Sequence, residues 1–269
     1  MLLSEAGELG LLRELESCGL IVGVEHDAAE LPGGLVVTQD ALVEGVHFRL
    51  DWLSWRELGF RAAAVTLSDL SASAARPEAL FVTLTLPADV ELERVLELYE
   101  GLAESGVPVR GGDTSSAGRI VVSITALGRS DRVPGRAGAQ PGDLLVVTGP
   151  LGAAGAAFRQ GRYVRPPVRM EEGLRLGAVA HAMLDVSDGI GVDAGHLSHR
   201  SGCRLVIDLD TVPLAGDLDD LGFGEDFELL AATPDPLGFP VIGRCEEGEG
   251  VVLLHAGEPY ELPGYQHFV

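Results

Sequence analysis

Apolar and polar positions along the chain follow two periods. Short runs with period two, rich in β-branched residues and bounded by Gly or Pro, predict strands; apolar residues at i, i+3, i+4 and i+7 predict helices. The N-terminal segment MLLSEAGELGLLRELESCGL reads as an amphipathic helix. Short strands are predicted at Leu35–Thr38 and around Val43–Phe48, then a helix from about Ser54, its N-cap, to Ser73. ALFVTLTL (79–86) is a strand closed by Pro87, Asp89–Ser105 a helix ended by Gly106, Val107–Arg110 a short strand entering Gly111-Gly112, and Arg119–Leu127 another strand. Ser130–Gly142 has the Gly/Pro texture of a linker. Beyond it the pattern predicts a strand at Leu144–Thr148 and helices near Gly152–Gln160, Arg169–Met183 and Ile190–Ser201. Strands follow at Arg204–Leu209, Phe227–Thr233, Val241–Arg244 and Val251–His255. This alternation predicts two α/β domains, 1–138 and 139–269.

Composition narrows the function. The 269 residues are 46% hydrophobic but 5% aromatic, so the core must be built from Ala, Val and Leu. Forty-one acidic against 19 basic side chains, a formal charge of -22, argue against nucleic acid or anionic membranes as partners. Cys18, Cys203 and Cys245 have no metal-ligand spacing, and such a sparse, odd set suits a reducing compartment. The first residues lack a basic, apolar leader, and no run approaches the roughly 20 apolar residues of a membrane span. A soluble cytoplasmic protein is expected.

The aspartates carry the chemistry. Asp40 follows the strand LVVT, Asp69 sits among Ala, Leu and Ser in TLSDLSASA, Asp113 follows Gly111-Gly112, and Asp185 and Asp188 flank Ser187 in MLDVSDGIG. Singly, Asp188 reads equally well as a helix cap and Asp113 as a turn former. Together, five carboxylates in apolar or small-residue surroundings need compensation, and hard Mg²⁺ takes oxygen ligands while retaining water and phosphate. The collective reading is a magnesium–phosphate site. No GxxxxGK[ST] loop and no protein-kinase motif set is present. With few basic residues, metals must neutralise a triphosphate, aided by Arg136 and by close backbone approach at Gly111-Gly112.

The ordered blocks TQDALVEGVHF (38–48), LSDLSASAARP (67–77), GGDTSS (111–116), RAGAQPGD (136–143), LDVSDGIGVDAGHL (184–197), GEDFEL (224–229) and GYQHF (264–268) resemble the thiamine-monophosphate kinase family, within the aminoimidazole-ribotide-synthetase-like superfamily. The resemblance implies a two-domain α/β fold of α+β type: an N-terminal mixed sheet that dimerises and binds ATP and metal, and a C-terminal α/β domain. It implies direct transfer of the ATP γ-phosphoryl to thiamine monophosphate, giving thiamine diphosphate. By position it implies metal ligands at Asp27, Thr38, Asp40, Asp69, Asp113, Asp185 and Asp188, and nucleotide contacts at Gly112, Asp113, Arg136 and Ser187. Thiamine contacts are implied at His47, Glu225 and Tyr265, with no dedicated catalytic base. Without the resemblance, His47 reads as a core histidine, Glu225 as a surface acid and Tyr265 as a core-closing ring.

Three departures stand out. His26 replaces the first acid of the GDDAA pattern in Glu25-His26-Asp27-Ala28-Ala29, and Gln39 stands where Thr is common. Only ten residues, Leu214–Phe223, separate Pro213 from Gly224, where relatives carry an extra helical segment, and Phe223 replaces a glycine. The alternatives are another ATP-using member of the superfamily, or a nucleotide-binding descendant without turnover. Selenophosphate synthetase is disfavoured by the absence of an N-terminal active-site Cys, and the hydrogenase-maturation relative by an end in Phe268-Val269.

Overall fold

The computed structural model describes residues 2–22 and 26–265; Glu25 of the EHDAA segment and residues 266–268 of the GYQHF block lie outside the described residues. Helix α1 (Leu3–Ser17) precedes a first sheet built from β1 (Ala29–Leu31), β2 (Leu35–Val43), β3 (Arg76–Leu86), β4 (Val109–Ser116) and β5 (Val121–Arg129). Its strand order is β1-β2-β5-β3-β4. All its pairs are antiparallel except β3–β4, which are joined by a helical crossover, as a parallel pair requires. Period two shows directly in β3, where Leu80, Val82 and Leu84 are buried while Phe81 and Thr83 are exposed.

The second sheet contains β6 (Leu144–Val147), β7 (Ala182–Asp185), β8 (Arg204–Asp208), β9 (Leu229–Thr233), β10 (Val241–Glu246), β11 (Val251–His255) and β12 (Glu258–Pro259). The order is β12-β11-β8-β10-β6-β9-β7, with only β11–β8 parallel. Helices α4 (Ala153–Phe158), α5 (Met170–Gly177) and α6 (Ile190–Ser201) belong to this half.

Helices α2 (Trp55–Ala72) and α3 (Leu92–Ala103) cover the core face of the first sheet, and α2 also packs against α5 and β7. Thirteen of its 18 residues are buried, so an alanine-rich, weakly amphipathic sequence is what the position demands. Ser54 caps it with a capping box to Glu57. Gly59 and Gly101 let α2 and α3 touch backbone to backbone: a Cβ on Gly59 would lie 1.9 Å from the Leu98 carbonyl oxygen, and one on Gly101 would lie 1.9 Å from that of Arg56.

Four expectations need correction. The predicted helix Arg169–Met183 stops at Gly177, and Ala182–Asp185 is instead the edge strand β7, paired with β9. Ala182, Met183 and Leu184 favour a helix locally, but burial of all four β7 residues against the sheet prevails. Val43–Phe48 is not a strand: β2 runs into Val43 and the chain then turns through Gly45 at φ 78°. Gly111-Gly112-Asp113 is no turn either, because β4 continues through it to Ser116. Gly112 is needed by packing, since a Cβ there would fall 1.8 Å from the Val82 carbonyl oxygen. Phe227 and Glu228 precede β9, which starts at Leu229.

Candidate functional site

The buried, helix-facing side of β2 carries Thr38 and Asp40, which stand opposite Ala126 and Ile124 of β5. One turn of α2 presents Thr66, Ser68 and Asp69 to that face, and the end of β7 presents Asp185. Thr38 Oγ1 donates to Asp69 Oδ2 at 2.5 Å, and Ser68 Oγ donates to Asp185 Oδ2 at 2.6 Å. Ligand oxygens of Asp27, Asp69 and Asp185 lie within 4.8 Å of one another. Arg136 reaches in from the segment between the sheets and holds Asp27 at 2.6 Å.

One guanidinium does not neutralise this group. Burial raises the Asp69 carboxyl well above its ordinary value, and the charges of Asp40, Asp185 and Asp27 raise it further. Burial and then Asp27 push Asp185 up to about 7; burial pushes Asp40 up to about 6 against a hydrogen bond from Thr66. Asp27 is raised by burial despite Arg136. Among the described residues, Asp40 Oδ2 is buried with no hydrogen-bond partner. Clustered carboxylates with an orphaned buried oxygen match the needs of a hard divalent cation.

Three segments beside the cluster are chained through the backbone. The Glu225 N–H donates to the Ser187 carbonyl at 2.8 Å, and the Tyr265 N–H donates to that of Asp188 at 3.1 Å. Thus the VSDG turn, the GEDFEL loop and the C-terminal segment meet. Asp193 on α6 was not singled out in the sequence; it is 4% exposed and accepts the Asp188 N–H at 3.0 Å, holding the turn in place. Burial, then Asp188 and Asp185, raise its carboxyl well above the ordinary range. Only its spacing five residues after Asp188 hinted at this.

Other expected residues lie apart. Asp113 sits on the edge strand β4 beside Thr83, which stands opposite Ser123. That register puts it on the exposed sheet face, opposite to the one bearing Thr38 and Asp40. Gln39 shares this exposed face and contacts Ser123 and Thr125, so its side chain does not occupy a place in the carboxylate cluster. His47 follows the β2 turn, and its Nδ1 accepts the Val43 N–H at 3.0 Å, which places the proton of the neutral ring on Nε2.

Glu225 adopts φ 58° and reaches Arg61 of α2 at 2.6 Å. A non-glycine residue in the left-handed region carries strain that its surroundings must hold. The other acids of GEDFEL are structural: Asp226 accepts the Gly152 and Ala154 N–H groups at the start of α4, and Glu228 pairs with Arg169 and Thr148. In place of an added helix, residues Leu218–Gly222 form a 3₁₀ turn whose Asp220 pairs with Arg159, and Phe223 stacks against Phe158 at 4.9 Å.

Known proteins resemble this chain in sequence and fold. Residues 25–130 match the family described as AIR synthase related protein, N-terminal domain. The thiamine-monophosphate kinase of Aquifex aeolicus (strain VF5) is 32% identical over an alignment covering 100% of both chains. That of Mycobacterium tuberculosis is 33% identical, covering 99% of this chain and 93% of the relative. A solved structure of AaThiL complexed with AMPPCP and TMP superposes with a TM-score of 0.91 at 30% identity over 99% of each chain. A chain of the HypE-HypF complex shares the fold at 18% identity and TM-score 0.76, over 94% of this chain and 100% of that one. With these full-length matches, the chain belongs to the thiamine-monophosphate kinase family.

Proposed function

We propose that the chain phosphorylates thiamine monophosphate with ATP, giving thiamine diphosphate and ADP. The observation that carries this is the shared carboxylate site of Asp27, Asp40, Asp69 and Asp185 beside the VSDG turn, in a chain whose full-length relatives bear that name. The solved relative with AMPPCP and TMP supports an ATP-type donor and this acceptor.

Asp27, Thr38, Asp40, Asp69, Asp185 and Asp188 would hold Mg²⁺. When bound, Mg²⁺ supplies the positive charge that lets an anionic acceptor approach an anionic donor. The residues of the chain orient the two. Arg136 and Ser187 face the nucleotide side, and Glu225, His47 and Tyr265 hold the acceptor. An acceptor phosphate oxygen attacks the γ-phosphorus, the new P–O bond forms as the bridge to the β-phosphate breaks, and ADP leaves. A phosphate acceptor is ionised at neutral pH, so no general base is required and positioning carries the rate.

Segments 1–138 and 139–269 would act as two domains, the first also forming a homodimer. In support, edge strand β4 is exposed from Arg110 to Ser116, and Asp113 lies on the face away from Asp40. A second copy laid over that face is the simplest way to bring Gly112 and Asp113 to a nucleotide. A cytoplasmic location is consistent with the absence of any helix, among the described residues, long and apolar enough to cross a membrane.

The test is to supply ATP labelled at the γ-phosphate with thiamine monophosphate. Label in thiamine diphosphate, matched by ADP, is expected; label released only as inorganic phosphate would refute direct transfer to this acceptor.

A further inference from the structure

After β12 the chain leaves the second sheet as a strap, 260–265, that runs to Tyr265. The strap has no regular structure of its own, so its course is set by what it touches. The Tyr260 N–H donates to the Leu253 carbonyl at 2.9 Å, and its hydroxyl donates to Asp219 Oδ1 at 2.7 Å. Tyr260 and Leu262 pack on the core of the second sheet. At the far end Gly264 lies against α6, where a Cβ would fall 2.0 Å from Val192 Cγ2, and the Tyr265 N–H reaches the Asp188 carbonyl.

Between these ties the strap lies on the 3₁₀ turn Leu218–Gly222, within the short stretch Leu214–Phe223. A Cβ on Gly222 would fall 2.1 Å from the Pro263 carbonyl oxygen, and the three atoms nearest to it all belong to Pro263. Gly222 does not use the left-handed backbone region, so an alanine there is not strained by its own φ. What excludes a side chain at 222 is the strap. The turn beneath is firmly held: Asp220, Leu221 and Gly222 are buried, and Asp220 accepts the Asp217 N–H at 2.7 Å and pairs with Arg159. The turn also meets the VSDG segment, since a Cβ on Gly189 would lie 2.9 Å from the Gly222 carbonyl oxygen.

We propose that the turn Leu218–Gly222 is the seat that sets Tyr265 in place, with Gly222 and the Tyr260–Asp219 pair as positioning residues for the acceptor. Gly222 sets how closely the strap approaches, through the Pro263 carbonyl, and the Tyr260 hydroxyl fixes where the strap begins. Tyr265 follows two residues after the Pro263 contact and is 43% exposed, so a displaced strap carries its ring away from the site. An alanine at 222 must push Pro263 off by about 1 Å to reach ordinary contact, and a misplacement of that size costs up to about a hundredfold in a positioned group. This role rests on thiamine monophosphate being the acceptor and on Tyr265 holding it. It gives the shortened stretch a task, that of a rigid rest for the C-terminal segment.

The experiment titrates thiamine monophosphate into the full chain by calorimetry with magnesium present, and steady-state rates give kcat and both KM values. The variants are Gly222→Ala, Tyr265→Ala and the two combined. Tyr260→Phe, alone and with Tyr265→Ala, keeps the ring packing and carries the test where Gly222→Ala does not fold. Gly222→Ala should weaken thiamine monophosphate about tenfold or more. Tyr260→Phe, which loses one exposed hydrogen bond, should weaken it about threefold. The KM for ATP should stay unchanged in both. Neither change should weaken binding further once Tyr265 is alanine, because the side chain being positioned is gone. Effects that simply add to that of Tyr265→Ala would overturn the assignment while leaving the kinase intact. So would full affinity in folded Gly222→Ala or, where that variant does not fold, in Tyr260→Phe. A fall in Tm or kcat with both KM values unchanged marks a merely structural role and overturns it too. If the unaltered chain neither binds nor phosphorylates thiamine monophosphate, the kinase reading itself fails, and this assignment with it.

Discussion

In the absence of a divalent cation, raising the pH should destabilise the folded chain. Asp185 is 5% exposed and its carboxyl titrates at about 7, against an ordinary value of 3.8. The folded state therefore binds a proton that the unfolded chain has already released over this range. Stability from that proton is fully present below about pH 4 and is lost as the pH rises through 7. Taken alone, Asp185 corresponds to roughly 4 kcal/mol. Asp27, Asp40 and Asp69 share the same field and have the same sign, so their contributions do not sum. Asp226, raised to about 6 by burial, acts in the same direction elsewhere. Among the described residues, the half-buried His196, whose pKa is lowered by burial, opposes the trend. A net loss on the order of 4 kcal/mol corresponds to a fall in Tm of about 10 °C for a chain of this size. Circular dichroism melts at pH 4, 5, 6, 7 and 8 with a chelator would record it, roughly 3 kcal/mol of the loss falling between pH 5 and 7. Magnesium should restore most of the loss at pH 8 and little at pH 5, because it competes with protons for the same carboxylates. A chelated Tm that is flat or rising from pH 5 to 8 would refute the shared-carboxylate account.

Further outcomes follow from single residues. Asp69→Asn should lower kcat at least a hundredfold while leaving the circular dichroism spectrum unchanged, and should flatten the chelated pH profile; wild-type turnover in the folded variant would contradict its place in the site. Asp113→Asn should lower turnover comparably without changing that profile, since Asp113 lies on the other face of the sheet. Gly59→Ala should cost about 1–3 kcal/mol in urea melts, because its Cβ meets the Leu98 carbonyl where α2 and α3 touch. Arg136→Met should cost roughly 2 kcal/mol by leaving Asp27 uncompensated, less than a fully buried pair because Arg136 is 30% exposed.

How much of this was legible depended on whether the signal was local. The strands β2, β3 and β5 show period two, and Ser54 with Glu57 announces α2, so the first half reads well. The aspartates were legible because each sits where a charge has no local reason to be. Their grouping was not, since only strand register distinguishes Thr38 and Asp40 from Gln39 and Asp113. Likewise β7 was hidden in AVAHAMLD, whose strand state depends on pairing with β9 rather than on its own residues. Asp226 and Glu228 illustrate the converse: within one motif beside Glu225, they serve α4 and Arg169. Arg61 was invisible because nothing in an alanine-rich helix says which position will face an acid about 160 residues away.

The most direct test of the central claim is the initial rate of thiamine diphosphate formation from ATP and thiamine monophosphate as magnesium is titrated against a chelator. The account predicts no product when the metal is removed, then a rate that rises and saturates with magnesium, with one ADP formed for each thiamine diphosphate. Turnover that persists in excess chelator, or saturating magnesium with no thiamine diphosphate, would contradict it.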